Sequence, residues 1–196
     1  MDKNNSLHVN IIGGKFKGKK LLLPSLESTR STKSILKSAY FNSIQFDIID
    51  KLFIEAFAGS GSIGLEALSR GAKKAFFIEK NRAAFEILRK NCNSFDEIDF
   101  ECIFGDTFVE LPKVIAKINE KAYLYFDPPF EFRDGMSDIY QKSFALLEKL
   151  DINKIDIAAF EHMSKIKMPK IIGDFVLSKT KTFGNSSISF YTLKHS

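Results

Sequence analysis

The stretch that most limits how this chain can fold is residues 53–64, Phe-Ile-Glu-Ala-Phe-Ala-Gly-Ser-Gly-Ser-Ile-Gly. An apolar run, Leu52 to Phe57, leads into Gly59, Gly61 and Gly64, and a helix-forming segment, Ser62 to Ser69, runs on until Gly71. Glycine opens backbone angles closed to other residues and lets a ligand approach the main chain. A second apolar run, Lys74 to Glu79, ends in a carboxylate twenty residues after Gly59. An acid at that place can accept hydrogen bonds from both hydroxyls of a ribose. Strand, loop, helix and acid in this order predict a nucleotide-type crevice at the carboxyl end of a parallel strand.

The alternation continues down the chain. Helices are predicted at Asn81–Asn91, at Leu111–Ile118 with Pro112 in its first turn, and at Asp134–Leu150. Between them come strands at Phe100–Phe104, Ala122–Phe126 and Ile155–Phe160. Strands this apolar, set between helices, predict a parallel sheet covered on both faces. The end departs from that rule. Phe175–Phe183 and Ser187–Leu193 are joined by Gly184-Asn185-Ser186 with no room for a helix, so they form an antiparallel hairpin. Ahead of the glycine loop, residues 7–12 and 20–23 read as a hairpin around Gly13-Gly14 and Gly18, and residues 33–46 as a helix capped by Thr32. A length of 196 residues suits one such domain with a small appendage.

Charge separates the two parts. Residues 1–40 hold eight Lys/Arg and two Asp/Glu, whereas the remainder holds 21 and 22. A basic first fifth on a near-neutral body points to a polyanion at one edge. Apolar runs fall far short of the ~18 residues of a membrane span, and the N-terminus lacks a signal-peptide layout. A cytoplasmic location is expected. Cys92 and Cys102 are not at ligand spacing, and His8, His162 and His195 are scattered, so no metal site is expected.

Two features bear on the chemistry. Glu55 beside the glycine loop would repel a pyrophosphate and suit the cationic amino group of a methionine moiety. Asp106 could reach an adenine amine or cap the helix that follows it. The crevice itself fits a dinucleotide or S-adenosylmethionine. After the fourth strand of this alternation comes Asp127-Pro128-Pro129-Phe130. The prolines fix the backbone and leave the Asp127 carboxylate and Pro128 carbonyl as acceptors without competing N–H groups. Two fixed acceptors suit the two donors of an exocyclic amine, and Phe130 offers a face for a base. Holding both N–H groups localises a lone pair otherwise spread into the purine ring, so that it can attack a methyl-sulfonium carbon.

These motifs resemble the RsmD-type family of bacterial 16S ribosomal RNA guanine-N2 methyltransferases. The resemblance rests on Ile11-Ile12-Gly13-Gly14-Lys15-Phe16-Lys17-Gly18-Lys19-Lys20-Leu21, on Phe41-Asn42, and on the run from Phe57 through Gly59, Gly61 and Gly64 to Arg70. It also takes in Glu79, the Asp-Pro-Pro-Phe segment and the closing hairpin. It implies a class I S-adenosylmethionine-dependent methyltransferase (Rossmann-like) fold, α/β, with seven strands and the last antiparallel. It implies S-adenosylmethionine as donor, S-adenosylhomocysteine as product, and N2 of a guanine of 16S rRNA as acceptor, by family at position 966. Glu55, Gly59, Gly61, Glu79 and Asp106 would line the cofactor site, with Phe57, Ser60 and Lys80 beside them. Asp127, Pro128, Pro129 and Phe130 would form the acceptor site. Lys15, Lys17, Lys19, Lys20, Arg30 and Lys37 are the candidate RNA contacts. Arg30, Thr32 and Lys37 match a family segment in which Ser31, Ser34 and Ser38 stand in place of a proline and two acids.

The expected division is residues 1–45 as a basic RNA-binding extension and 46–196 as the methyltransferase domain. The expected partner is 16S rRNA, as the 30S subunit or its assembly intermediate, acted on by a monomer away from membranes. A DNA adenine-N6 methyltransferase shares Asp-Pro-Pro-aromatic, but 196 residues leave no room for a large target-recognition domain. An NAD-dependent oxidoreductase would use the glycine motif, yet no hydride-transfer site accompanies it. A silent RNA-binding module would not need both site motifs.

Overall fold

The computed structural model describes residues 8–24, 30–44, 47–129 and 137–194. A short antiparallel pair, β1 (His8–Asn10) and β2 (Lys20–Leu22), precedes helix α1 (Arg30–Ile44). Strand and helix then alternate: β3 (Leu52–Glu55), α2 (Ser62–Ser69), β4 (Lys74–Glu79), α3 (Arg82–Cys92), β5 (Phe100–Phe104), α4 (Thr107–Lys117), β6 (Ala122–Phe126), α5 (Ser137–Lys149) and β7 (Ile155–Met163). The short β8 (Ile171–Ile172) and the hairpin β9 (Phe175–Phe183) and β10 (Ser186–Leu193) complete the chain.

The main sheet runs β5-β4-β3-β6-β7-β10-β9-β8. Strands β3 to β7 are parallel, and β10 is antiparallel to both β7 and β9. The seven expected strands are all present. The two-residue β8 extends the edge beyond β9, and two residues are too few to show a periodic pattern in sequence.

Local chemistry sets the element ends. Asn81 caps α3 by accepting the Ala84 N–H at 3.0 Å, and Ala84, Phe85, Leu88 and Cys92 turn inward along one face. The Asp106 carboxylate accepts the Phe108 N–H at 2.9 Å, which starts α4 at Thr107. That is four residues earlier than the apolar pattern suggests, so Pro112 falls in the second turn and removes one helical hydrogen bond there. Leu111, Val114 and Ile115 hold the turn against the sheet. Helix α1 begins at Arg30, which puts Thr32 inside the first turn and not at the cap.

One apolar layer lies between the sheet and α1, α2 and α3, with Leu36, Tyr40, Leu65 and Leu88 in it. The other lies under α4 and α5, with Leu111, Ile115, Tyr140 and Leu147. Tyr40 ties α1 to the sheet by stacking on Phe190 (5.7 Å) and meeting Tyr125 edge-on (4.9 Å).

The Gly13-Gly14 turn docks on the end of α2. The Lys15 N–H donates to the Ser69 carbonyl (2.7 Å) and the Phe16 N–H to the Ser69 hydroxyl (3.0 Å), which in turn donates to the Gly13 carbonyl (2.6 Å). Gly14 has φ +75°, and a Cβ there would overlap the Ser69 carbonyl. Beneath the turn, the fully buried Glu66 accepts from the Ile12 N–H (2.8 Å) and Arg70 Nε (2.8 Å), and pairs with Lys37 Nζ (3.3 Å). Lys37 also donates to the Asn10 carbonyl at 2.7 Å. This corrects the expectation that Lys37 contacts RNA. It is only 2% exposed, and burial lowers its pKa against the pull of Glu66. Its charge is spent inside the protein.

Candidate active site

Neighbouring strands bring the two site motifs together. In the sheet β3 lies between β4 and β6, with Glu55 opposite both Phe77 and Tyr125. The glycine loop after β3 therefore sits between the end of β4, which carries Glu79, and the end of β6, which leads into Asp127-Pro128-Pro129. Each parallel strand delivers an acid at this edge: Glu55, Glu79, Asp106 just past β5, Asp127, and Glu161 in β7.

The three glycines have different duties. Gly59 has φ +52°, and a Cβ there would project into open space, so it faces the crevice. A Cβ on Gly64 would run into the Phe77 ring, and one on Gly61 into Leu88. Those two let α2 and α3 close on the sheet. The Gly59 N–H donates to Glu79 Oε2 (2.8 Å), and the Asn81 N–H to Oε1 (2.7 Å), which fixes the Glu79 carboxylate at the crevice wall.

Gly61 is the N-cap of α2 and has no side chain to offer. Glu55 supplies the missing acceptor, taking the N–H groups of Ile63 (3.3 Å) and Gly64 (2.8 Å). Burial raises its pKa to about 8. The two amides and Lys37 oppose that shift, and the charge of Asp127 adds to it. Glu55 thus sits under the loop as its internal cap.

The other candidates ring this loop. Ser60 is buried, and its carbonyl accepts from Asn91 Nδ2 at 2.9 Å. Phe57 is half-buried, 6.0 Å from Phe108 and 6.4 Å from Phe126, and forms an apolar wall. Lys80 lies 3.5 Å from Asp106 Oδ2, while Oδ1 of Asp106 caps α4. Asp127 is half-buried, Pro128 is buried and Pro129 is exposed, while Phe130 lies outside the described residues. Asp127 adds to the rise in the pKa of Tyr125, behind burial and Glu161, and of Tyr140, behind burial, which places it electrostatically near both.

Three buried polar residues escape a reading of the sequence. Asn91 pairs with the Leu22 N–H (2.9 Å) and carbonyl (3.0 Å) as a further strand would, and so links β2 to Ser60. Glu66 anchors the N-terminal turn. Glu161 accepts from the Tyr125 hydroxyl at 2.7 Å, and its signal in sequence is an acid within the apolar run Ile155 to Phe160 and beyond.

Of the basic hairpin, Lys17 and Lys20 are exposed. Lys15 pairs with Glu97 at 2.7 Å on the surface. Lys19 is half-buried, lies 4.0 Å over the Phe95 ring and donates to the Ser94 carbonyl. The Arg30 side chain lies outside the described residues.

The residues present fit S-adenosylmethionine better than a dinucleotide. An ammonium and two ribose hydroxyls are donors, and the crevice edge is lined with carboxylates. A pyrophosphate would meet those acids, and Lys80 beside the loop already pairs with Asp106.

A parallel sheet in this order, closed by an antiparallel strand between β7 and β9 and bearing a glycine loop after its central strand, defines a class I methyltransferase. The family described as conserved hypothetical protein 95 matches residues 9–192, and the chain belongs to it, the RsmD type. Ribosomal RNA small subunit methyltransferase D of Haemophilus influenzae is 28% identical over 184 residues, which is 93% of each chain. The protein of that name in Escherichia coli (strain K12) is 33% identical over 127 residues, 65% of this chain and 63% of its own length. The solved structure of yhhF from Escherichia coli superposes with a TM-score of 0.78 at 26% identity, covering 96% of this chain and 99% of that one.

Proposed function

We propose that this protein transfers a methyl group from S-adenosylmethionine to the exocyclic N2 amine of a guanine in 16S rRNA, by family position 966. The observation that carries this reading is the adjacency of the Asp127-Pro128-Pro129 strand end to the glycine loop, on neighbouring strands with Glu55 opposite Tyr125. The names of the relatives, which are small-subunit rRNA methyltransferases, support the substrate class.

S-adenosylmethionine, when bound, supplies a methyl group on a positively charged sulfur. The chain's residues do the rest. Gly59 lets the ligand approach the loop, Glu79 holds the ribose hydroxyls, and the acids at the strand ends favour a cation. Phe57 walls the base, with Lys80 and Asp106 at its edge. The Asp127 carboxylate and Pro128 carbonyl take the two N–H donors of the guanine amine, and Asp127 accepts the proton that leaves. Pro129 and Phe130 complete the acceptor site. Residues 1–45 hold the RNA through Lys15, Lys17, Lys19, Lys20 and Arg30, while 46–196 perform the transfer in the cytoplasm on the subunit or its precursor.

The test is labelled-methyl transfer to 30S subunits, naked 16S rRNA and duplex DNA, with the product base mapped. N2-methylguanine in rRNA is the expected product; N6-methyladenine in DNA would overturn the reading. Asp127→Ala should lower transfer by roughly 10²-fold or more, with S-adenosylmethionine affinity retained. Equal loss of both would contradict the division of roles.

A further inference from the structure

The basic excess has a second home. Residues 164–196 contain six lysines and one acid, Asp174, whereas residues 41–163 contain 15 Lys/Arg and 21 Asp/Glu. An acidic middle is thus flanked by two basic ends, and the second end folds as the β9–β10 hairpin.

Register places part of that charge beside the acceptor motif. Lys181 pairs across the sheet with Ile188, and Ile188 with Glu161. Glu161 follows Phe160, the partner of Phe126, so it is level with Asp127. Lys181 and Asp127 therefore share one row across the sheet, three strand spacings or about 14 Å apart. Directly opposed residues share a face. Ile188 faces the α1 layer, and so does Lys181. Lys179 lies two residues back on the same strand, its Nζ 4.7 Å over the Phe190 ring.

Between α1 and β9 on this face lies a groove of about 410 Å³. Its α1 side carries Ser34, Ser38 and Asn42, one residue per turn, beside Ile35, which is 48% exposed. Its β9 side carries Lys181 and Phe183. This set matches a single-stranded nucleic acid. Lys181, with Lys179 near it on the strand, matches phosphates, Phe183 offers an aromatic face, and a serine–asparagine stripe can hydrogen-bond base edges and 2′-hydroxyls. The groove floor is apolar, from Ile35, Ala39 and Phe183, while Lys181 and the serine–asparagine stripe edge it, a mixture that suits bases and ribose held beside a phosphate.

We infer that the α1–β9 groove holds the single-stranded rRNA segment next to the target base. The inference rests on the rRNA reading above and names a second contact surface for it. The nucleotide beside the target is held in this groove while its neighbour enters the acid-lined crevice.

The test compares wild type with Lys179→Glu/Lys181→Glu and, separately, Ile35→Asp. Affinity for a fluorescein-labelled oligouridylate and for in vitro transcribed 16S rRNA is measured across a salt series. S-adenosylmethionine affinity is measured by calorimetry, and methyl transfer on 30S subunits and rRNA in parallel. The double variant should bind RNA about tenfold more weakly, with its log–log salt slope smaller by about 0.7 for each lost phosphate contact. Cofactor affinity should not change. Ile35→Asp should weaken RNA binding in the same direction without altering cofactor affinity. If wild type methylates rRNA and both variants bind RNA with unchanged affinity and slope, this inference fails and the function stands. If the variants lose activity on subunits but keep their affinity for naked rRNA, the groove takes a protein surface and the RNA assignment is wrong. Wild type that binds no RNA overturns both readings.

Discussion

At the scale of single residues, Glu55 shows how a buried acid can cap a loop from beneath. An acid whose folded pKa lies above its unfolded value binds its proton more tightly when folded. Its contribution to stability is therefore full below about pH 4.5 and is lost as the pH rises toward 8. Glu55→Gln removes that titration. Between roughly pH 5 and pH 8 the wild type should lose up to about 4 kcal/mol more than the variant, read from urea midpoints. Parallel pH profiles would mean that the carboxyl stays ionised throughout. Residues at this scale were unevenly legible. Gly59, Glu79 and Asp127 stand at strand ends that apolar runs announce. The inward turn of Lys37 and the pairing of Asn91 with Leu22 depend on partners 27 to 69 residues away, and no local pattern carries them.

At the scale of elements, α1 is joined to the body more tightly than its basic sequence suggests. Its Lys37 meets Glu66 of α2 with both side chains buried, and its Tyr40 packs on β6 and β10. Losing Lys37 removes one of the two cations that pair with the buried Glu66 and leaves Arg70 as the other, at a cost of about 1–3 kcal/mol. Lys37→Met should therefore lower the unfolding midpoint while leaving the salt slope of RNA binding as in wild type. A reduced slope with unchanged stability would return Lys37 to the RNA surface. The parallel strands and the closing hairpin were readable because they are apolar runs bounded by glycine and acid. The start of α4 was not, because Asp106 caps an extra turn ahead of the apolar residues and pushes Pro112 inward. The short β8 has too few residues to carry any signal.

At the scale of the whole molecule, charge and ligand should act on stability together. A ligand at a hundred times its Kd adds about 2.7 kcal/mol, which for a chain of this size raises Tm by roughly 5–10 °C. S-adenosylmethionine should produce such a shift and NAD none; the reverse would restore the oxidoreductase reading. A charge count that divides the chain after residue 40 hides the basic C-terminal hairpin, because the acids of the middle cancel its lysines. Only the sheet register brings Lys181 level with Asp127. The same register has a consequence for synthesis. Strand β10 lies between β7 and β9 but follows both in the chain. While the polypeptide is being made, β7 has no partner on that side, and β9 has no place to join the sheet until β10 has been made. The N-terminal turn likewise waits for Ser69 and Asn91, 53 to 69 residues downstream. The sheet's closing therefore waits for β10, and a ribosome stalled before it would carry an open strand edge prone to mispairing.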